Sequence, residues 1–169
     1  ASPRRVRMFF GDPDGSLSEV AVFSGVHGDE GAIAGGGDID GDGYDDVVIA
    51  EPTWNVDDGR LYGFFGGPGR DTAVDFQIDG IVGERAGSAA SLIGDVNADG
   101  HVDVAVGGFQ FRYFGSDFPD WWGNAVVHTG AVLATGVTVS AGDAVLRVTG
   151  KNTYDYVGWS VGGRGIGEG

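Results

Sequence analysis

A stretch that occurs twice decides the fold of this chain. It reads GDIDGDGYDDVVIA at residues 37–50 and GDVNADGHVDVAVG at residues 94–107, so the second copy starts 57 positions after the first. In each copy an acidic loop containing glycine runs directly into a short apolar segment rich in Val and Ile. Because β-branched residues that follow a glycine turn favour an extended backbone over a helix, we predict that each loop leads into a β-strand.

Each loop places oxygen-bearing side chains at alternate positions. Counted from its first acidic residue, it has Asp or Asn at positions 1, 3 and 5, Gly at position 6 and Asp at position 9. Calcium takes roughly six to eight oxygen ligands at about 2.3–2.6 Å, and alternate side chains of a tight loop can converge on one ion. Asn97 supplies a neutral oxygen in the second loop, which predicts weaker binding there.

Other loops of similar composition fit less well. A helix-loop-helix calcium site requires Glu at position 12, where this chain has Ile49 and Val106 inside apolar runs. A dockerin-type loop is followed by a helix, whereas strand-forming residues follow here. An acidic β-turn that binds no metal is the remaining alternative, since Asp and Gly are ordinary turn residues.

The similarity between the copies extends beyond the loops. Gly31-Ala32 precedes the first and Gly87-Ser88 the second, and a third lead-in begins at Gly158, which gives periods of 56 and 71 residues. Two insertions of about seven residues explain the longer second repeat. Each repeat is predicted to form four strands, near Ala32–Gly36, Asp46–Ala50, Arg60–Phe65 and Ala73–Ile78, then near Ser88–Ile93, Asp103–Val106, Asn124–Thr129 and Ala144–Thr149.

Composition narrows the possible functions. Glycine makes up 34 of 169 residues, which favours turns and short strands over helices. The formal net charge of −15 argues against nucleic acid and anionic membranes as partners and suits cation binding. The chain has no cysteine, which excludes disulfides and thiolate sites. It has no apolar run long enough to cross a membrane and no apolar signal-peptide core at its start.

Taken together, the sequence resembles the FG-GAP repeats of the integrin α-subunit β-propeller and its bacterial relatives. Phe10-Gly11 and Phe65-Gly66 lie where the family has Phe-Gly, and Ala50-Glu51-Pro52 lies where it has Gly-Ala-Pro. The resemblance implies an all-β fold of four-stranded propeller-type blades. It also implies two structural calcium ions, with ligands from Asp38, Asp40, Asp42, the Tyr44 carbonyl and Asp46, and from Asp95, Asn97, Asp99, the His101 carbonyl and Asp103.

The same resemblance predicts how the chain is divided. Residues 1–24 would be the last strands of a preceding blade, with strands at Val6–Gly11 and Glu19–Phe23. Residues 25–80 and 81–150 would be two full blades, the second carrying an aromatic insertion at 109–122. Residues 151–169 would supply the first strand of a following blade, at Tyr156–Gly169. Such an open fragment exposes strand edges, and we expect homo-oligomers formed by edge pairing or strand exchange; a monomer whose edges are protected by charge is the alternative.

Function is expected to be non-enzymatic. His27, His101 and His128 have no metal-ligand spacing and no nucleophile beside them, and no acid–base pair stands out. The family resemblance implies an extracellular adhesion or protein-interaction module. The alternatives are a carbohydrate-binding module that uses the aromatic insertion, and the scaffold part of a larger secreted enzyme. For the insertion itself, packing against a neighbouring blade or a second subunit is the favoured interpretation, and a binding surface is the alternative.

Overall fold

The protein folds almost entirely into short β-strands. The computed structural model describes residues 5–11, 14–23, 31–69, 71–109, 122–152 and 154–163. Two four-residue helical turns, α1 (Trp54–Asp57) and α2 (Gly130–Leu133), and a 3₁₀ turn at Ala141–Asp143 accompany the strands. The strands are β1 (Val6–Gly11), β2 (Leu17–Phe23), β3 (Ile33–Gly37), β4 (Asp46–Glu51), β5 (Arg60–Phe64), β6 (Phe76–Asp79), β7 (Ala89–Gly94), β8 (Asp103–Gly108), β9 (Asn124–His128), β10 (Thr138–Ser140) and β11 (Leu146–Thr149).

The two repeats form two sheets of the same design. In the first, β3, β4, β5 and β6 pair antiparallel in chain order; in the second, β7, β8, β9 and β11 do the same. The strand positions agree with the sequence prediction to within about three residues. The described strands form no closed barrel, and the all-β, propeller-type fold class is confirmed. We refer to the two sheets as the first and second blades.

The principal core lies between the two blades. Val48, Leu61 and Ile78 of the first blade are fully buried, and they belong to one apolar cluster with Val104 and Val106 of the second. Alternate residues of each strand point to this interface because side chains of a strand alternate between its two faces. The packing fixes the two blades side by side.

A separate hairpin covers the opposite face of the first blade. β1 and β2 pair antiparallel, and Phe23 of β2 lies with its ring 4.5 Å from that of Phe64. Ile49 and Tyr62 complete this second cluster, against which Met8 packs. The assignment of this hairpin to the last strands of a preceding blade stays a prediction.

The second repeat reaches back onto the first blade, which the sequence did not predict. β10 lies in the connection between β9 and β11, and it pairs parallel to β6 with Thr138 opposite Gln77. The first blade therefore has five strands, not the four expected. Leu133 and Ala141 from the same connection are buried in the principal core. The longer β9–β11 connection, one of the two predicted insertions, thus covers the outer edge of β6.

Some predicted features lie beyond the described residues. Of the aromatic insertion only Phe109 and Trp122 are described, and of the predicted strand at Tyr156–Gly169 only residues up to 163. Those residues contain an isolated bridge between Val157 and Gly123 and no strand. Within the described ranges, no helix is long and apolar enough to span a bilayer.

Candidate metal loops

Each acidic loop joins the first two strands of its blade. The first lies between β3 and β4 and the second between β7 and β8. In both hairpins the register shifts just before the loop, between Gly35 and Gly37 and between Leu92 and Gly94. A bulge of this kind bends the strand and re-aims the backbone that follows. The two loops therefore leave their strands in the same way, and they present their side chains at the same edge of each blade.

Three carboxylates converge in the first loop. Oxygen atoms of Asp38, Asp40 and Asp42 all lie within 4.8 Å of one another. Asp38 is held by backbone amides, because its Oδ1 accepts from Gly41 at 2.7 Å and its Oδ2 from Gly43 at 2.8 Å. A metal ion in this position would meet three hard anionic oxygens, the donor set that calcium prefers. The side chains at positions 1, 3 and 5 therefore fit the expected ion.

The second loop repeats this geometry with one chemical change. Asp95 Oδ2 accepts from the Gly100 amide at 2.8 Å, and this bond foremost holds the pKa of Asp95 below its usual value. Asn97 turns its amide Nδ2 toward Asp99, with 2.8 Å between Nδ2 and Oδ2. The loop thus has one carboxylate fewer than the first, and the weaker calcium binding expected of it stays a prediction.

Glycine at position 6 has a conformational reason in both loops. Gly43 and Gly100 each have φ of +89°, a left-handed conformation that side chains other than glycine adopt at a cost. This turn brings the amide of position 6 back onto the carboxylate of position 1. Position 6 therefore shapes the oxygen cluster without contributing a ligand side chain.

The Asp residues at position 9 are buried beneath the loops. Asp46 is inaccessible to solvent, and its carboxylate accepts from the amides of Ile39 at 2.6 Å and Gly66 at 2.7 Å. Asp103 is equally buried and accepts from Val96 and Gly130, both at 2.9 Å. Burial raises the pKa of Asp46.

Both carboxylates thus tie the loop to the segment that follows the third strand of its blade. Each oxygen has a further lone pair that a cation could share. Their part in metal binding, like that of the Tyr44 and His101 carbonyls, stays a prediction.

The sequence did not indicate that the second loop touches the first. His101 Nδ1 lies 2.8 Å from the Ile39 carbonyl oxygen, and the Val102 amide donates to the Asp38 carbonyl at 2.9 Å. Residues 57 or more positions apart carry no local signal of such a contact. It arises because neighbouring blades place their loops at the same end.

A cavity of about 610 Å³ lies beside the first loop. Met8 and Phe23 of the hairpin line one side, and Tyr44, Val47 and Phe64 of the first blade line the other.

Comparison with known proteins agrees with the repeat pattern. The FG-GAP repeat family matches residues 31–64, which run from the lead-in of the first blade to the end of β5 and include the first loop. Integrin alpha-6 of Homo sapiens is 33% identical over 90 residues, 47% of this chain and 8% of the integrin. Integrin alpha-PS2 of Drosophila melanogaster is 38% identical over 82 residues, 41% of this chain and 6% of the integrin. The aligned region is thus a small part of either relative. Residues 31–64 match the FG-GAP repeat, and under half of the chain is similar in sequence to an integrin α subunit.

Proposed function

We propose that this chain is a calcium-binding, integrin-like repeat module that acts in adhesion or protein interaction and not in catalysis. The observation that carries the proposal is the convergence of Asp38, Asp40 and Asp42 in the segment that matches the FG-GAP repeat. The ion would be structural. It would offset the repulsion among the clustered carboxylates, and its binding energy would stabilise the folded state.

The test is calcium binding compared between matched variants. Isothermal titration calorimetry should find two calcium ions per chain, and the thermal midpoint should rise in calcium over that in chelator. Asp40→Asn removes one charge from the cluster and should weaken the first site at least tenfold. Asp45→Asn changes an exposed carboxylate of the same loop outside the cluster and should leave binding unchanged. Equal midpoints in calcium and in chelator would contradict the proposal.

The two sites should differ in affinity because they differ in charge. The first loop offers three clustered carboxylates, whereas in the second Asn97 stands between Asp95 and Asp99. Ligand charge tunes calcium affinity in such loops. Asn97→Asp should therefore strengthen the second site in the same titration. An unaltered second site would show that Asn97 does not set its affinity.

Exposed aromatic side chains favour a partner-binding role for the segment that follows the second blade. Tyr154 and Trp159 are each 64% exposed, and the Trp159 ring lies 5.1 Å from that of Phe109. Tyr156 lies between Tyr154 and Trp159, with its ring 5.9 and 5.8 Å from theirs. Aromatic residues are enriched at protein interfaces, so we propose a protein ligand here.

A carbohydrate ligand is the alternative occupant of this surface. Trp159→Ala should abolish binding to whichever ligand is bound, with its folding checked by circular dichroism. A glycan array that stays blank for the wild-type chain would exclude the carbohydrate reading.

Self-association is supported by a difference between the outer strands of the blades. Phe76 and Ile78 of β6 are buried, whereas Leu146 and Val148 of β11 are 56% and 51% exposed. β6 has β10 along its outer edge, and β11 has no described strand beyond it. An apolar strand edge invites pairing with another chain. We therefore propose a homo-oligomer paired through β11.

Light scattering after size exclusion tests this proposal. We expect twice the chain mass for the wild type and the single-chain mass for Val148→Lys. A wild-type monomer would exclude edge pairing. It would also exclude strand exchange at the protein concentration used.

We propose that the chain acts outside the cell, because its relatives are integrin α subunits. Calcium is abundant there, so sites of millimolar affinity would be filled. The scaffold part of a larger secreted enzyme remains the alternative to an adhesion module. Assay of the chain within its full-length protein, with and without calcium, separates the two.

A further inference from the structure

We propose that the two acidic loops bind calcium cooperatively and that His101 is the positioning residue that couples them. This inference rests on the calcium-binding function proposed above. It adds a relation between the sites that neither loop shows alone: an ion in the second loop would prepare the first loop to bind.

Two hydrogen bonds carry the coupling. The His101 ring Nδ1 lies 2.8 Å from the Ile39 carbonyl oxygen, and the Val102 amide lies 2.9 Å from the Asp38 carbonyl oxygen. A carbonyl oxygen only accepts, so Nδ1 carries the hydrogen in this arrangement. Ile39 stands between Asp38 and Asp40, two of the converging carboxylates. The contacts therefore hold the backbone that aims those carboxylates.

Close packing makes the contact specific. A Cβ atom on Gly41 would lie 3.1 Å from His101 Cε1, and a Cβ atom on Gly37 would lie 2.9 Å from Val102 Cγ1. Glycine at these two positions lets His101 and Val102 approach the first loop on either side of Asp38. A shift of the second loop by a fraction of an ångström would therefore be felt by the first.

The same residues belong to the second site. His101 is position 7 of its loop, and its backbone amide donates to Asp99 Oδ1 at 3.0 Å. An ion held by Asp99 would restrict the backbone of His101 and with it the direction of the ring and of the Val102 amide. The first loop would then bind calcium without having to order these groups itself. Ordering by one ligand that reduces the cost of binding another is positive cooperativity.

Cooperativity between two sites is reciprocal, which gives a direct test. Asp42→Asn and Asp99→Asn change equivalent ligands, and each leaves an Asn oxygen to accept the amide of Tyr44 or His101. Calorimetric titration with calcium would measure the remaining site in each variant. We expect the first site to bind at least about fivefold more weakly in Asp99→Asn than in the wild type, with the same factor for the second site in Asp42→Asn.

Variants of His101 separate coupling from simple stabilisation. In His101→Ala we expect the Asp99→Asn change to weaken the first site by a smaller factor than it does in the wild type, because only the Val102 contact remains. His101→Asn places a donor near the position of Nδ1 and should restore the difference. A residue with a purely structural role would lower the thermal midpoint and leave the coupling factor unaltered, which would overturn the proposal.

The outcomes distinguish this inference from the function on which it rests. Two calcium ions that bind with independent affinities would refute the coupling and leave the calcium function intact. Absence of any calcium binding to the folded wild-type chain would refute the calcium function and the coupling with it. If His101→Ala does not fold, the comparison of the wild type with Asp99→Asn decides the question by itself.

Discussion

The two blades share a backbone plan but differ in what covers them. The first blade lies between the hairpin and the second blade, and β10 lies along its outer edge. The second blade has the first on one side, whereas Leu146 and Val148 of its outer strand are exposed on the other. Similar strands thus reach very different degrees of burial. The comparison teaches that burial in a repeat protein depends on neighbours as much as on the sequence of the repeat.

The two loops show the same contrast at a smaller scale. Both have a glycine turn and a buried Asp, but their environments differ at position 4. Gly41 of the first loop has φ of +80° and lies under the His101 ring, and Ala98 of the second has φ of +61°. The first loop is thus shaped by its neighbour, and the second carries a residue that is strained in this conformation. Four predictions test how far the copies are equivalent.

The largest effect is expected from the buried Asp residues, where the copies should behave alike. Asp46→Ala leaves the amides of Ile39 and Gly66 without their carboxylate, and Asp103→Ala does the same to Val96 and Gly130. Each loses two hydrogen bonds to a charged group, about 3–6 kcal/mol of unfolding free energy.

Urea unfolding in chelator measures this loss free of any metal effect. Asp45→Ala, at an exposed neighbour, should change stability by less than about 0.5 kcal/mol and is the control. A loss under about 1 kcal/mol in either buried variant would show that these hydrogen bonds contribute little to stability.

The next largest effect is the loss of stability when an apolar residue of the outer strand is truncated, and it should differ strongly between the two blades. Phe76 and Leu146 occupy equivalent positions in the two blades. Phe76 pairs with Gly63, and Gly63 pairs with Val48, two positions after Asp46. Leu146 likewise pairs with Val127, and Val127 pairs with Ala105, two positions after Asp103. Phe76 is 1% exposed and Leu146 is 56% exposed. Phe76→Ala should therefore cost about 3–5 kcal/mol of unfolding free energy. Leu146→Ala should cost less than about 1 kcal/mol. Similar costs for both, measured by urea unfolding of a dilute monomer, would mean that the second blade is covered in solution.

A third prediction concerns how stability depends on pH through the residue of the second blade that is equivalent to Phe64. The equivalent residue of the second blade is His128, which is 4% exposed; its Nε2 has no hydrogen-bond partner among the described residues. Burial lowers the pKa of His128 from 6.5 to about 4. Between these values the unfolded chain binds the proton and the folded chain does not, so stability is lost as the pH falls. The loss from pH 7.5 to 4.5 should be about 2–3 kcal/mol.

Replacement by the residue of the first blade tests this effect. His128→Phe removes the titrating group, so its stability should fall less than that of the wild type over the same pH range. Urea unfolding at each pH gives the free energy of unfolding, and its slope against pH is compared between the two proteins. The slope is used because a change in packing shifts the free energy by the same amount at every pH. Parallel slopes would show that His128 is protonated with its ordinary pKa.

The smallest effect is expected at position 4 of the loops. Ala98→Gly relieves a left-handed alanine and should raise the free energy of unfolding by about 0.5–1 kcal/mol. Gly41→Ala introduces the same strain and a Cβ 3.1 Å from the His101 ring, so it should lower that free energy by about 1–2 kcal/mol. Thermal unfolding in chelator measures both. A stabilising Gly41→Ala would refute the close contact between the loops.

Much of the fold could be predicted because its signals are local. Val47-Val48-Ile49 and Val102–Val106 follow acidic glycine turns, and this pattern indicates strands whatever surrounds them. The internal repeat then predicts that strands found in one copy occur at equivalent positions in the other. The convergence of Asp38, Asp40 and Asp42 follows from alternate spacing in one tight turn, so it too could be expected from the sequence.

What could not be predicted depends on contacts between distant residues. Nothing near Thr138–Ser140 indicates that this short segment pairs with Gln77–Asp79 in the other repeat. The Asp at position 9 is predicted to close the metal shell, which stays a prediction, and the structure shows that it accepts an amide from a distant segment of each repeat. Hydrogen bonds of this kind leave no period or motif in the sequence, since their partners are brought together only by folding.

The sequence by itself determined the repeat, the strands and the donor set of each loop, because turn chemistry and alternation act over a few neighbouring residues. Only the tertiary structure decided which equivalent positions are buried and that His101 lies against the first loop. Those outcomes follow from packing one blade beside another, which brings together residues 57 or more positions apart. The same acidic loop pattern can therefore contact different neighbours on two successive blades.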